Sequence, residues 1–285
     1  MSSGNLSHSM RANYAEHGVS EYYTKVSKSY RNPHFPGVKA CIFEWMNRWW
    51  INEKQVKLDK DPITVFDMAC GRLDISCPST FPDWYEQAVQ AHKPTSPKHD
   101  SISTIRPPVM RPIKAQTQTK PQTVLIVNMP KPTILAADPF TSEAFSERTQ
   151  MTCAPLSFKG ISDGEIPTIS KPISPTSEEG EENKEGENTI GDLDSNSQNL
   201  DIVICSFALH LIESPSELFS LLWELSTKAR WLVVLAPHKK PEIKEGWGWT
   251  KWNTESWRSC SIGETQGDIL KERTHCRVYR SLNFD

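Results

Sequence analysis

Apolar residues in this chain gather into short unbroken runs separated by long polar stretches. Leu200, Ile202, Val203 and Ile204 open one such run. It is too short to span a bilayer and rich in β-branched residues, the composition of a strand buried on both faces. Trp231 to Ala236 is a second. Between them Ser214-Pro215-Ser216-Glu217 has the form of a helix start, with Ser214 as N-cap, Pro215 at the first helical position and Glu217 placed to bond back. Leu218, Leu221, Leu222 and Leu225 follow at helical spacing, so one side of that helix packs on a sheet. Parallel strands joined by a helix require a right-handed crossover, so residues 200–241 are predicted to form a βαβ unit. Ligands of such sheets sit beyond the carboxyl ends of the strands, which directs attention to Ser206, Phe207 and His210 after the first strand and Pro237, His238 and Lys239 after the second.

The same pattern upstream predicts a helix over Val38, Cys41, Ile42, Trp45, Met46 and Trp49, entered at Pro36-Gly37. Before it, Tyr22 to Tyr30 form a shorter helical candidate ending near Asn32-Pro33, since a residue preceding proline is pushed out of the helical region. The region 20–50 is read as N-terminal helices docked on the sheet or lying over its ligand end as a lid. Trp45 and Trp49 belong to the core; Tyr22, Tyr23 and His34 are candidates for either role.

Ile63 to Phe66 is a buried strand running into Asp67-Met68-Ala69-Cys70-Gly71. A strand, an acid and then glycine beside small residues lets backbone amides approach a nucleotide-like ligand while the carboxylate contacts a polar or cationic group. Thr133 to Ala137 is the next strand and ends in Asp138-Pro139-Phe140, with a helix over Ser142 to Thr149. Asp138 is placed either to accept the hydroxyls of a ribose or to cap the following turn. Leu156 to Phe158, with Ile161 and the turn Asp163-Gly164, reads as a third short strand, and His275 to Ser281 as a final one. Residues 245–253 form a Trp-rich turn carrying Trp247, Trp249 and Trp252.

Composition then removes two stretches from any core. Residues 92–122 carry Lys93, Lys98, Arg106, Arg111, Lys114 and Lys120 against the single acid Asp100, and residues 167–199 hold a cluster of glutamates. Neither shows a hydrophobic period, so both are read as disordered insertions, one basic and one acidic, in a single domain spanning 1–285. The net charge of -3 excludes a generally basic nucleic-acid coat. Seven cysteines at irregular spacing and no CxxC pair suit reduced thiols in the cytoplasm or nucleus, without structural zinc or any other metal site. No leader segment or membrane-spanning run is expected.

Strand-Asp67-Met-Ala-Cys-Gly71, strand-Asp138-Pro and strand-Cys205-Ser-Phe-Ala-Leu-His210-Leu, in that order and before a late strand, resemble a class I S-adenosylmethionine-dependent methyltransferase. More narrowly the chain resembles a mainly fungal group sharing YRNPH, ADPFTSEA, SFALHLI, LAPHKKPEIK and GWGW. The resemblance implies a Rossmann-like fold, a mostly parallel sheet with helices on both faces. It implies S-adenosylmethionine as cofactor, with Asp67 and Gly71 at its methionine end, Asp138 on the ribose, Phe140 on an adenine face, Asp163 near the adenine edge, and Ser206 and Phe207 along the methyl-transfer side. His210 and His238 are the candidate bases, and Tyr22, Tyr23, His34, Lys239, Trp247 and Trp249 the candidate acceptor contacts. The acceptor is an unidentified small molecule, protein or RNA. Leu73, where such enzymes usually carry glycine, and Pro78 depart from the pattern. They motivate the alternative of a catalytically silent protein that binds a partner. A third reading is RNA binding through Lys239, Lys240, Lys244 and Lys251 interleaved with Trp247, Trp249 and Trp252.

Overall fold

The computed structural model describes residues 16, 18, 21–22, 32–53, 62–70, 83–87, 131–167, 199–237 and 240–284. In chain order these form α1 (Phe35–Glu53), β1 (Thr64–Met68), β2 (Thr133–Ala137), α2 (Ser142–Thr149), α3 (Phe158–Ser162), β3 (Leu200–Ser206), a 3-10 turn (Leu209–Leu211), α4 (Pro215–Lys228), β4 (Ala229–Ala236), β5 (Trp249–Asn253), β6 (Arg258–Cys260), β7 (Ile269–Lys271) and β8 (Thr274–Ser281). The two expected insertions lie outside the described residues, apart from a few at their margins.

All eight strands join one sheet in the order β2-β1-β3-β4-β8-β5-β6, with β7 paired to β8. β2, β1, β3 and β4 run parallel, while β8 pairs antiparallel with β4 and with β5. The expected βαβ unit is present: α4 carries the chain from β3 to its parallel neighbour β4. The Ser214 side chain accepts from the Glu217 N–H, so the cap forms as the sequence indicates.

The expectation of a Rossmann-like methyltransferase fold is corrected by this topology. The sheet is mixed and strand-rich, and of the five helical elements named above only α1, α2 and α4 are longer than five residues. The physical reason lies after β4. There the chain returns through antiparallel pairings, which short turns can connect and which need no crossover helices. The Trp-rich turn expected at 245–253 is in part strand β5, whose partners are β8 and β6. The third strand expected near Leu156 to Phe158 is corrected as well: Ala154 makes a single parallel bridge to Ala137, and Ser157 caps a short helix by accepting from Gly160 N.

Strand alternation sorts the core into two layers. Val65, Ile202, Ile204, Trp231, Val233 and Val278 face α1, which contributes Val38, Ile42, Trp45 and Trp49. Phe66, Met68, Val203, Cys205, Leu232 and Val234 face α4 through Leu218, Leu221, Leu222 and Leu225. Each buried Leu of α4 removes apolar area worth about 1.5–3 kcal/mol. Two glycines are set by packing. A Cβ on Gly37 would stand 2.6 Å from Thr274 Oγ1, so α1 could not lie against the β7–β8 turn. Gly248, at φ +81, would overlap the Ser226 hydroxyl of α4 if it carried a side chain.

Candidate functional site

Going outward from β1, the chain places β2 on one side and later β3 on the other, so the parallel half reverses direction between β1 and β3. Crevices open at such points, beyond the carboxyl ends of the strands. A cavity of about 680 Å³ lies there on the α4 side. Ala69 after β1, Asp138 to Thr141 after β2, Leu156 to Ser162 around α3, and Ala208 with Leu211 to Ser214 after β3 form its wall. Its body is apolar. Its charged lining residues are Asp138, Glu213 and Glu217 against Lys159, and Lys159 forms an ion pair with Asp163. The lining is net acidic.

Both strand ends at this point carry backbone strain. Ala69 follows β1 at φ 72 and Phe207 follows β3 at φ 58, left-handed conformations that non-glycine residues rarely adopt. Each is held by a bond to the adjacent strand: Ala69 N donates to Ala137 O at 2.8 Å, and Phe207 N to Leu235 O at 2.8 Å. The bends turn the chain off the sheet and leave Ala69 and Ala208 on the cavity wall.

Asp138 caps the turn after β2 and also stands on the cavity wall. Its Oδ1 accepts from Phe140 N at 2.9 Å, Thr141 N at 2.8 Å and Thr141 Oγ1 at 3.0 Å, which fixes the turn after β2. The same carboxylate lines the cavity. Phe140, held by that turn, lines the cavity with its residue surface 40 % exposed.

The α1 side of the strand ends is polar. Asp67, buried at the end of β1, shares the face of Val65 and stands in register with Ile204. Ser206 belongs to that side by alternation, Phe207 joins it because its left-handed backbone breaks the alternation, and the His34 ring stacks on Phe207 with centroids 5.1 Å apart and planes inclined by 22°. Next to Asp67, burial pushes the Cys70 thiol well above its ordinary range, and the hydrogen bond to Cys153 at 3.2 Å adds to the shift.

The remaining sequence candidates divide. Tyr22 is buried. Asp163 is exposed at the C-cap of α3 and is not part of the cavity wall. His210 is exposed on the 3-10 turn rather than packed between Leu209 and Leu211, because the turn directs Leu209 inward and His210 out. Trp249 is buried, its indole N–H donating to Leu222 O at 2.7 Å, and Trp247 is half-buried beneath Lys244. Gly71, Leu73, Pro78, Tyr23, His238 and Lys239 lie outside the described residues. The RNA reading loses three of its members: Lys251 is buried in an ion pair with Asp268 at 2.8 Å, Trp249 is core, and Trp252 packs against Trp231 and the Arg280 guanidinium. Sequence reasoning missed Ala208, Ile212, Glu213 and Glu217 as wall residues. Their signal was the helix start itself, since the cap of α4 opens onto the cavity. Among the described residues no cluster of His, Cys, Asp or Glu is arranged to hold a metal ion, and no helix is long and apolar enough to cross a membrane.

The chain is 34% identical over 284 residues to an uncharacterized protein of Schizosaccharomyces pombe, C17A5.05c, an alignment covering 98% of this chain and 95% of the relative. No family model matches the chain. No solved structure matches it either.

Proposed function

This chain belongs to one family with the Schizosaccharomyces pombe protein C17A5.05c, and we propose that it binds S-adenosylmethionine and transfers its methyl group to an acceptor. The observation that carries this reading is the cavity at the reversal between β1 and β3, with its apolar body and net acidic lining. Its volume lies within the range of small-molecule sites. The acidic lining disfavours the phosphates of a dinucleotide and suits S-adenosylmethionine, whose sulfonium and ammonium outweigh its one carboxylate. Asp138 reads the ribose, Phe140 offers a ring face to adenine, and Asp67 lies toward the methionine end. When bound, S-adenosylmethionine supplies a methyl already activated on sulfur, so the chain's task is alignment of the incoming nucleophile and exclusion of water. Calorimetric titration of the full chain with S-adenosylmethionine and S-adenosylhomocysteine, with ATP and NAD as phosphate-bearing controls, tests the reading. Saturable heat from the first two alone is expected; none from either, or equal binding of ATP, overturns it.

A second reading, a catalytically silent protein that binds a partner, is favoured by one observation. Phe219 and Trp223, 39 % and 44 % exposed on α4, pack against each other with rings tilted by 37°, and Phe219 meets Trp247 edge-on, an aromatic ridge on the outer surface. The two readings separate in the same titration.

A further inference from the structure

The thiols of Cys70 and Cys153 lie 3.2 Å apart, although the two residues are 83 positions apart in the chain. Both are buried, at 3 % and 8 % exposed. Backbone bonds bring them together from the two edges of β2. On the β1 edge, Ala69 N and Cys70 N donate to Ala137 O at 2.8 and 3.2 Å. On the other edge, Ala154 N donates to Ala136 O at 2.9 Å and Asp138 N to Ala154 O at 3.0 Å, which holds the neighbouring Cys153 against β2. The two sulfurs therefore meet across the end of β2, in a small core shared with Ala136, Phe145 and Met151. Cys41, by contrast, turns its sulfur to the carbonyls of Ile269 and Thr274. Neither Cys70 nor Cys153 has a part in the methyl-transfer reading, so the pair stands whether or not that reading holds.

We propose that Cys70 and Cys153 form a redox-active pair, which a peroxide converts to a reversible disulfide that clamps the end of β1 to the segment leading into α3. Two sulfurs at this distance need only small side-chain rotations to reach bonding distance. A peroxide is little larger than water, and so suits a thiol with this little exposed surface. Cys153, the more exposed of the two, reacts first. Its sulfur attacks one peroxide oxygen, the O–O bond breaks, and a sulfenic acid and one water form. Cys70 is the resolving thiol: burial and the Cys153 hydrogen bond, then the Asp67 and Asp138 charges, hold its proton until a sulfenic acid stands against it. The Cys70 sulfur then bonds to the Cys153 sulfur, the S–O bond breaks, and the Cys70 proton leaves with the hydroxyl as a second water. Two thiols and one peroxide give one disulfide and two waters, with two electrons passing from sulfur to oxygen. Ala69, beside Cys70, and Asp138, bonded to Ala154, both stand on the cavity wall, so the clamp ties down two parts of that wall.

The test treats the full chain with hydrogen peroxide, alkylates the remaining thiols and maps peptides without reduction. A Cys70–Cys153 cross-link is expected, with two hydrogen atoms lost from the chain. The melting temperature should rise by about 5 °C or more, because a long loop is closed in the unfolded chain, and dithiothreitol should restore the starting value. Deuterium exchange at the N–H groups of Ala69 and Cys70 should slow in the oxidised form. Cys70→Ala should leave a sulfenic acid on Cys153 that dimedone traps, and Cys153→Ala should leave Cys70 unmodified. Each variant is compared with itself before and after peroxide, so a lower starting stability does not obscure the result. Cys77→Ser, which removes the one cysteine outside the described residues, should cross-link as the parent chain does. No cross-link, a cross-link to Cys77 instead, or a Cys70–Cys153 cross-link that leaves both melting temperature and exchange unchanged would overturn the clamp.

Discussion

The backbone N–H of Thr64 donates to the buried carboxylate of Asp201 at 2.9 Å, joining the start of β1 to the start of its neighbour β3 at the amino ends of the parallel strands. Asp201→Ala leaves that N–H buried without its partner. The variant should lose about 1–3 kcal/mol, the cost of an unmatched buried donor, read as a lower urea midpoint with unchanged slope. Ligand binding at the opposite strand ends should persist in the fraction that folds.

Asp138 supports the turn and lines the cavity, so two substitutions separate its roles. Asp138→Ala removes three hydrogen bonds of the turn and should lower both melting temperature and affinity for S-adenosylhomocysteine. Asp138→Asn retains an oxygen for the turn. It should lose less stability than the alanine variant while still weakening the ligand by about 1.5–3 kcal/mol, the range for a hydrogen bond to a charged group. If both variants melt lower and bind normally, Asp138 is a turn cap alone.

Phe140→Ala makes a complementary case. The residue is 40 % exposed at the cavity, so little core packing is lost. Its melting temperature should stay within a small change while affinity for S-adenosylhomocysteine falls by about 0.5–1.5 kcal/mol, the worth of one aromatic contact. Calorimetry on the two proteins side by side decides it.

Alkaline pH should destabilise the fold through its buried thiols. Burial pushes Cys41 from 9.0 up to about 12, and its Sγ lies 3.5 Å from Thr274 O. Above pH 9.0 the unfolded chain releases this proton while the folded chain holds it. The unfolded state then binds fewer protons, so stability present below that pH declines as pH rises toward about 12, by roughly 1.4 kcal/mol per pH unit for one such group. Cys41→Ala should flatten part of this decline in urea midpoints measured above pH 9.0. A decline of unchanged steepness would assign it to other groups, among them Cys276, whose thiol burial also raises.

The strands β1 to β4 were legible because their residues are apolar on both faces, which leaves a continuous run in the sequence. The cap of α4 was legible because its chemistry is local: Ser214, Pro215 and Glu217 act within one turn. The antiparallel half was harder to read. Lys251 points inward in β5 with Trp249 and Asn253, and a buried lysine matched to Asp268 breaks the alternation of apolar and polar positions that marks a strand. The cavity was visible at Asp138 and Phe140 but not at Ala69, and the bends at Ala69 and Phe207 were not visible either. Their left-handed backbones are imposed by bonds to neighbouring strands, and no feature of alanine or phenylalanine announces them.

β8 is the last strand in chain order, yet it lies inside the sheet between β4 and β5. During synthesis the parallel half and α4 leave the ribosome before it, and so does the β5–β6 hairpin, whose two strands already pair with each other. Until β8 emerges, the edge of β4 from Trp231 to Ala236 is an apolar template open to any passing strand. A nascent chain stalled short of Thr274 is therefore the form of this protein most in need of a chaperone, and messenger lesions that truncate it there should yield aggregates rather than a shortened domain.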